Sequence, residues 1–536
     1  MSYTRTRSIS TLLLLCLAGG FLARSIPARL TFLNPDEVLH YLLSDQPSLA
    51  ATYKATLTTA HPPLFIVLLH YWQSLGHSEM MLRLPSLLAG IAFSWVMFLW
   101  LRRVSDRQTA LYGLILLLFS PALISLSAEV RQYALLLLFC ASSLYFLERA
   151  VQENSALVML LSALTLYLAL SIHYSSLIFA LTLGIYALAR LWTTKTEPKV
   201  IAAWAAGQLG GLAICVFFYT SHLAALQRSG LHQQIADTWL RTSIFHSGQD
   251  HLAGFLVGRT VRLFRYFFSN GTIGVFALLL FVWGIDLLLL DAEPRQPSRK
   301  PTSRQFVLLL TLPFFITGGT AVVGLYPYGG TRHDAFLAIF AMSGVSLGLA
   351  RVKIQKSWLK LAVLAGALAV GNLFPFPTPP FIKPRNQNRK LMTAAMSFLR
   401  RPGPADSILL TDYEGGLMLS YYLCSSKVIE IQTSQPFLES HCGDYRVIAS
   451  SPELWSYDAR TFPAALAELQ QKGRLGPETN AWLFQAGWID DKQAEWIAEL
   501  GRFGCRDPRL FGQNILLCRI APAAHPNSRT AVAHEN

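Results

Sequence analysis

Charge is what this chain has least of. Asp, Glu, Lys and Arg make up 14% of its 536 residues, against about 25% in an ordinary soluble domain. Hydrophobic residues supply 52% and the mean hydropathy is +0.38, which excludes a soluble enzyme and calls for a polytopic membrane protein. Acidic residues are the scarcer sign, 31 against 45 basic, for a formal net charge of +14. That excess does not imply nucleic acid, because the basic residues fall in short clusters between apolar runs, as topology signals do. The chain lacks a Walker-type phosphate loop and a dinucleotide fingerprint, so a nucleotide-linked substrate has no support. It also lacks internal repeats, and low complexity is confined to a short basic linker around Pro294–Ser303. A signal-peptide cleavage site is missing too. The run Ile9 to Leu22 follows Arg5 and Arg7, but Phe21-Leu22-Ala23-Arg24-Ser25 puts an arginine where small residues are needed. The run therefore reads as a retained first helix.

What is present is a series of apolar runs near the roughly 20 residues that a spanning helix needs. They lie at 8–27, 84–101, 109–127, 132–149, 155–172, 174–192, 200–220, 271–291, 305–325, 335–350 and 359–376, about eleven spans. One set of connections is short and basic (Arg102, Arg103 and Arg107; Arg149; Arg190, Lys195 and Lys199; Arg295 to Arg304; Arg351 to Lys360). The other set is long or nearly free of positive charge: 28–83, 128–131, His173, 221–270, 326–334 and everything beyond about 377. Basic loops stay in the cytoplasm, which predicts a cytoplasmic N-terminus and an extracytoplasmic C-terminal tail. His61 to Gly76 is apolar but short, and is expected as a helix on the outer surface. The 221–270 loop is expected as an amphipathic cover.

Beyond a proline-rich linker at Pro375, Pro377, Pro379 and Pro380, charged residues return. Strand-like runs (Ser407–Leu410, Val428–Ile431, Arg446–Ala449, Ala481–Phe484, Asn514–Cys518) alternate with helix-like ones (Gln387–Leu399, Gly415–Leu423, Pro463–Gln471, Lys492–Leu500). This predicts an α/β domain. Cys16, Cys140 and Cys215 lie in apolar runs and read as inert. The tail's Cys424, Cys442, Cys505 and Cys518 can form disulfides if the tail is extracytoplasmic. Cys424–Cys442 and Cys505–Cys518 are the pairings to test, although sequence does not fix connectivity.

The polar residues that stand out occupy the predicted outer loops. Asn34-Pro35-Asp36-Glu37 follows the first span and His61-Pro62-Pro63-Leu64 follows later in the same loop. A solvated acidic turn accounts for Asn-Pro-Asp; a carboxylate at the bilayer edge also suits a general base taking a proton from an acceptor hydroxyl. Arg131 is either an anion donor or a snorkelling arginine. Tyr328-Gly329-Gly330-Thr331-Arg332-His333-Asp334 is either a ligand-approaching glycine turn or a plain charged turn. His61 either binds a ligand or caps the following helix, and Arg83 reads as an interfacial anchor. His246, Asp250 and His251 do not match a closed structural metal site.

Taken in order, four motifs resemble those of GT-C membrane glycosyltransferases, in the branch of protein O-mannosyltransferases and aminoarabinose–lipid A transferases. They are Asp36-Glu37 after a first helix, His61-Pro62-Pro63-Leu64, Ser78-Glu79 leading to Leu82-Arg83-Leu84-Pro85-Ser86, and Glu129-Val130-Arg131-Gln132-Tyr133. The resemblance runs over about residues 8–350 and is strongest over 33–135; the tail departs from it. It implies a GT-C-like polytopic α-helical membrane protein with a C-terminal extracytoplasmic α/β domain. The division expected is a catalytic transmembrane domain at 1–376, with outer loops 28–83 and 221–270, and a tail domain at 377–536. It also implies a polyprenyl-phosphate sugar donor and a single inverting displacement at the outer face of the cytoplasmic membrane. Asp36 would be the base, and Glu37 would position the acceptor or tune the base. The leaving phosphate calls for cations; Arg131 and Arg332 suit it, with His61, Tyr133 and His333 beside them as donor-binding residues. The partners implied are membrane lipids and a glycan, lipid or protein acceptor. No metal ligand set is assigned, no cofactor is required, and a divalent metal is neither demanded nor excluded. A transporter or flippase of lipid-linked sugars is the rival. Transporters carry ionisable groups near mid-membrane, whereas here the acidic residues lie at loop edges, with Asp286 and Asp291 near a predicted cytoplasmic end.

Overall fold

The computed structural model describes residues 2–224, 226, 240–291, 299–354, 356–377, 386–401, 407–424, 435–452, 454–455, 461–475, 481–488, 493–502 and 505–520. The chain divides into two compact units, residues 1–28 with 44–382, and residues 29–43 with 383–536.

The first unit is helical. Among the described residues, eight helices are long and apolar enough to cross a membrane: Thr11–Leu30, Glu79–Val104, Tyr133–Glu153, Ser176–Thr193, Pro198–Leu223, Gly271–Leu290, Ser303–Val322 and Arg332–Arg351. The bent pair Arg107–Phe119 and Pro121–Ser127 makes a ninth if counted as one span. The protein is thus a multi-pass membrane protein with fewer full-length spans than the eleven expected. The runs at 155–172 and 359–376 form only the shorter helices Ala156–Leu170 and Trp358–Leu373. The first of these stops where the chain turns His173 into the interior. His61 to Gly76 contains the expected short helix, Leu64–Trp72. The 221–270 segment lies partly outside the described residues; its end is the helix Leu252–Phe268.

Helix starts follow local chemistry. Ser78, Asp106 and Asn270 accept bonds from backbone N–H groups of the turns they open, and Thr302 with Gln305 forms a reciprocal capping box. The bend of 58° at Ser120–Pro121 also has a local cause. Proline has no N–H, so the carbonyl of Leu117 loses its helical partner, and the bend draws the next two away from theirs. Arg24, buried in the first span, donates from Nη2 to Leu117 O at 3.0 Å and from Nη1 to Leu118 O at 2.5 Å and Gly20 O at 3.1 Å. Asn372 Nδ2 donates to Phe119 O at 2.9 Å. The arginine that argues against signal cleavage is therefore the donor that repairs a broken helix.

Elsewhere close approach comes from small residues, as in other membrane helix pairs. A Cβ on Gly284 would lie 2.6 Å from Gly344 O and 3.0 Å from Gly348 N. Arg190, read from sequence as a topology charge, is buried in a bidentate pair with Glu148 (Nε–Oε1 2.9 Å, Nη2–Oε2 3.1 Å). The same Nη2 donates to Arg299 O at 2.7 Å.

The second unit holds a six-stranded sheet, β1 (Ser407–Thr411), β2 (Phe437–Cys442), β3 (Tyr445–Ser450), β4 (Ala481–Ala486), β5 (Cys505–Leu510) and β6 (Ile515–Ile520), in the order β2-β3-β1-β4-β6-β5. β3, β1 and β4 are parallel and the outer strands antiparallel. Parallel strands are covered on both faces and read as unbroken apolar runs, which is why Ser-Ile-Leu-Leu-Thr of β1 is buried throughout. All four expected helices form, within two residues of their expected starts. The expected strand Val428–Ile431 lies outside the described residues. β2 and β5 were not expected: β2 alternates in burial, and β5 is a charged, mostly exposed edge strand holding Pro508 and an irregularity between Arg506 and Arg509. Edge strands of this kind carry almost no apolar signal. Both expected disulfides, Cys424–Cys442 and Cys505–Cys518, are formed, which suits an oxidising, extracytoplasmic setting.

Replacing Arg24 by Met keeps much of the volume and removes the donors. The stranded carbonyls are expected to cost about 3 kcal/mol. Thermal unfolding in detergent checks this, with Ser25→Ala, which removes one bond to Phe21 O, expected to stay within about 0.5 kcal/mol of wild type.

Candidate functional site

The expected site residues fall into two groups, one in each compact unit. Asp36 and Glu37 belong with residues 383–536, while His61, Arg131, Tyr133, Arg332 and His333 belong to the helical unit.

Asn34-Pro35-Asp36-Glu37 is a helix start, not a solvated turn. It opens the helix Pro35–Ser44, with Asn34 as N-cap and Pro35 in the first helical position. Glu37 N donates to Asn34 Oδ1 and Asn34 N donates to Glu37 Oε2, both at 3.0 Å. This reciprocal cap buries Glu37 to 1% exposure and leaves Asp36 half-buried in the first turn, where the helix dipole favours a carboxylate. The approach to this helix is fixed within its own unit. Thr31 bridges to Asn388, Phe32 N donates to Gln387 O at 2.9 Å, and Leu33 N donates to Tyr422 Oη at 2.7 Å. Tyr41 meets Tyr421 edge-on with ring centres 5.2 Å apart. Gly487 passes so near that a Cβ there would stand 2.5 Å from Pro35 Cγ.

In the helical unit, the bend at Pro121 leads Glu129–Tyr133 into the interior, where all five residues are buried. Arg131 is 3% exposed, so it does not snorkel. Its guanidinium lies 5.6 Å from the Tyr133 ring centre, and Ser86 Oγ donates to its carbonyl at 2.9 Å. Arg83 is likewise buried instead of interfacial, with Nη1 donating to Ala28 O at 2.6 Å. His61 does not cap the next helix, whose N-cap is Pro63 with no side-chain bond.

These residues gather around one that sequence reasoning passed over. His173 stacks on His61 with ring centres 5.1 Å apart, and lies 5.3 Å from Tyr133 and 6.1 Å from His333. Tyr133 also meets His333 edge-on at 6.4 Å. Leu64 N donates to Ser171 O at 3.1 Å, which ties the His61 and His173 turns together. Burial, then Arg131 and Arg332, push the His173 imidazole down to about 3, so it is neutral. The only sequence signal for it is a lone histidine among Tyr and Ser in a short outer turn.

Asp334, also buried, accepts from Gly329 N at 2.9 Å and Thr331 Oγ1 at 3.3 Å through Oδ2. Gly329 has φ +110°. Its open face is spent on the helix Leu252–Phe268, since a Cβ there would stand 2.6 Å from Arg259 Cβ. The glycine turn therefore approaches protein. Tyr266 lies in the same region, its phenol pushed up by burial, Glu129 and Tyr133. An apolar cavity of about 300 Å³ opens beside Tyr174, lined by Leu170, Cys215, Phe218 and Leu223 among others. Among the described residues no group of three or more His, Cys, Asp or Glu side chains is placed to hold a metal ion. His246 and Asp250 form a local loop pair, Nδ1–Oδ2 3.8 Å.

Residues 60–219 match the dolichyl-phosphate-mannose-protein mannosyltransferase family. This is under a third of the chain; it includes His61, Arg131, Tyr133 and His173 and leaves out Asp36, Arg332 and His333. ArnT from Cupriavidus metallidurans in the apo state is similar in structure with a TM-score of 0.55 at 12% identity, covering 97% of this chain and 100% of that one. The same protein bound to undecaprenyl phosphate gives 0.53 at 12% identity, covering 96% and 99%. No curated protein matches the chain. The chain therefore shares the fold of ArnT over nearly its whole length.

With His173 ionising near 3 when folded and near 6.5 when not, the unfolded chain binds more protons between those values. Stability is thus expected to fall as pH drops through about 6.5 towards 3. The thermal midpoint in detergent checks the sign, and His173→Gln should flatten the dependence between about pH 7 and pH 5.

Proposed function

We propose that the protein is a membrane glycosyltransferase. It moves a sugar from a polyprenyl-phosphate donor to an acceptor hydroxyl at the outer face of the cytoplasmic membrane, with inversion. The observation that carries this reading is the cluster of buried Arg131 and Tyr133 with half-buried His61, Arg332 and His333, assembled from three separate segments in a fold shared with a protein solved with undecaprenyl phosphate bound. Cations kept from water inside a membrane protein are costly and suit a phosphate that gains charge as it leaves. The apolar cavity beside Tyr174 suits an isoprenoid chain.

In this reading Asp36 takes the proton of the acceptor hydroxyl as that oxygen attacks the anomeric carbon. The bond from that carbon to the phosphate oxygen breaks, and polyprenyl phosphate leaves with the electron pair. Arg131 and Arg332 balance its charge, while His61, Tyr133 and His333 hold the donor. Glu37 is a positioning residue, since its carboxylate is engaged by the Asn34 N–H. Catalysis is assigned to residues 1–376 and acceptor choice to the extracytoplasmic 377–536.

Sugar transfer in membranes supplied with polyprenyl-phosphate sugars and an envelope extract tests this. Asp36→Asn is expected to lower transfer at least about 100-fold with the protein still folded, and transfer equal to wild type would remove Asp36 from the role. Glu37→Gln preserves the cap and should keep activity within about threefold, whereas Glu37→Ala should lose activity together with thermal stability.

A further inference from the structure

His173 has no role in the motifs that led to the site, and its bonding defines one. The backbone N–H of Ser175 donates to His173 Nδ1 at 3.1 Å. An amide N–H can only donate, so Nδ1 carries no hydrogen, and the ring is the neutral tautomer with its hydrogen on Nε2. The Ser175 hydroxyl lies 2.9 Å from the same Nδ1, so both nearby polar groups engage that side of the ring. His173 is 3% exposed, yet among the described residues Nε2 has no hydrogen-bond partner. A donor buried in this state costs about 1–3 kcal/mol unless something accepts from it. Tyr133 Oη, on the neighbouring ring, is buried and unpartnered in the same way. Two such donors therefore belong to neighbouring rings, in the region where Arg131 and Arg332 supply positive potential.

We propose that His173 Nε2–H, with the hydroxyl of the neighbouring Tyr133 ring, forms a neutral donor subsite for a non-bridging oxygen of the polyprenyl phosphate. The subsite rests on the donor assignment made above. An oxygen is required because both groups donate, and an anionic one because both guanidiniums act on the same ring. His173 binds and orients this oxygen and transfers no proton to it, since losing the Nε2 hydrogen would leave an imidazolate.

Two substitutions separate ligand binding from a merely structural role. His173→Asn places an amide oxygen near the Nδ1 position, keeping the bond from Ser175 N–H, and has no group that reaches Nε2. His173→Gln reaches the Nε2 position with an NH₂ donor and gives up the Ser175 bond. Binding of undecaprenyl phosphate to the full-length protein in detergent is measured by titration, with undecaprenol as the phosphate-free control. Wild type is expected to bind the phosphate and not the alcohol. His173→Asn should weaken binding about tenfold with its thermal midpoint kept, and His173→Gln should bind within about threefold of wild type with a lower midpoint. The reverse order, or equal affinity for all three, overturns the subsite while leaving the donor assignment standing. Wild type that fails to prefer the phosphate overturns the donor assignment and the subsite with it.

Discussion

A peptide carbonyl in an apolar interior has to find a donor, and at Leu117, Leu118 and Phe119 the helix ladder does not supply one because Pro121 follows. Arg24 and Asn372 supply it instead. Once those groups are satisfied, the chain can bend, run through one short helix and carry Glu129 to Tyr133 inside. Without the repair, the bend would strand polar backbone in a medium with no water to answer it. The interior position of Arg131 and Tyr133 thus traces back to a proline, and the tolerance of that proline to an arginine about a hundred residues earlier.

A cluster built this way has to balance itself. Arg131 and Arg332 lie in the same region as the fully buried Glu129 and Asp334, and the fold keeps the central imidazole neutral. Buried charges of one sign would be prohibitive, and mixed ones are tolerable. The result is a region of high polarity in which carboxylates offset part of the guanidinium charge, with its donors fixed before any ligand arrives. Preorganised dipoles of that kind are what charge development in a reaction exploits.

Much of this was legible in the chain, for identifiable reasons. Apolar runs marked the helices, and β1, β3, β4 and β6 announced themselves because strands covered on both faces must be apolar throughout. β2 and β5 stayed hidden because an edge strand with one wet side needs no such pattern. Four motif segments were visible, but their surroundings were not. Arg83 looked interfacial, and a snorkelling Arg131 stayed open beside the anion donor, because burial of an arginine depends on distant carbonyls and rings that no local window contains. Asn34 to Glu37 looked like a turn although its spacing is that of a capping box. His173 was overlooked because one histidine in a short turn has no periodicity, and its meaning comes from His61, Tyr133 and His333, at least 40 residues away along the chain.

The helix bearing Asp36 is moored to strands and helices more than 350 residues downstream, through Asn388, Tyr421, Tyr422 and Gly487. This makes the C-terminal domain a poor candidate for inheritance as a free cassette. A recombination that replaced everything beyond the proline-rich linker would import a sheet whose mooring points were shaped for another N-terminal segment. Viable exchanges in evolution, and chimeras made at the bench, should then carry residues 29–43 along with the tail, so that two stretches at opposite ends of the gene travel as one heritable block.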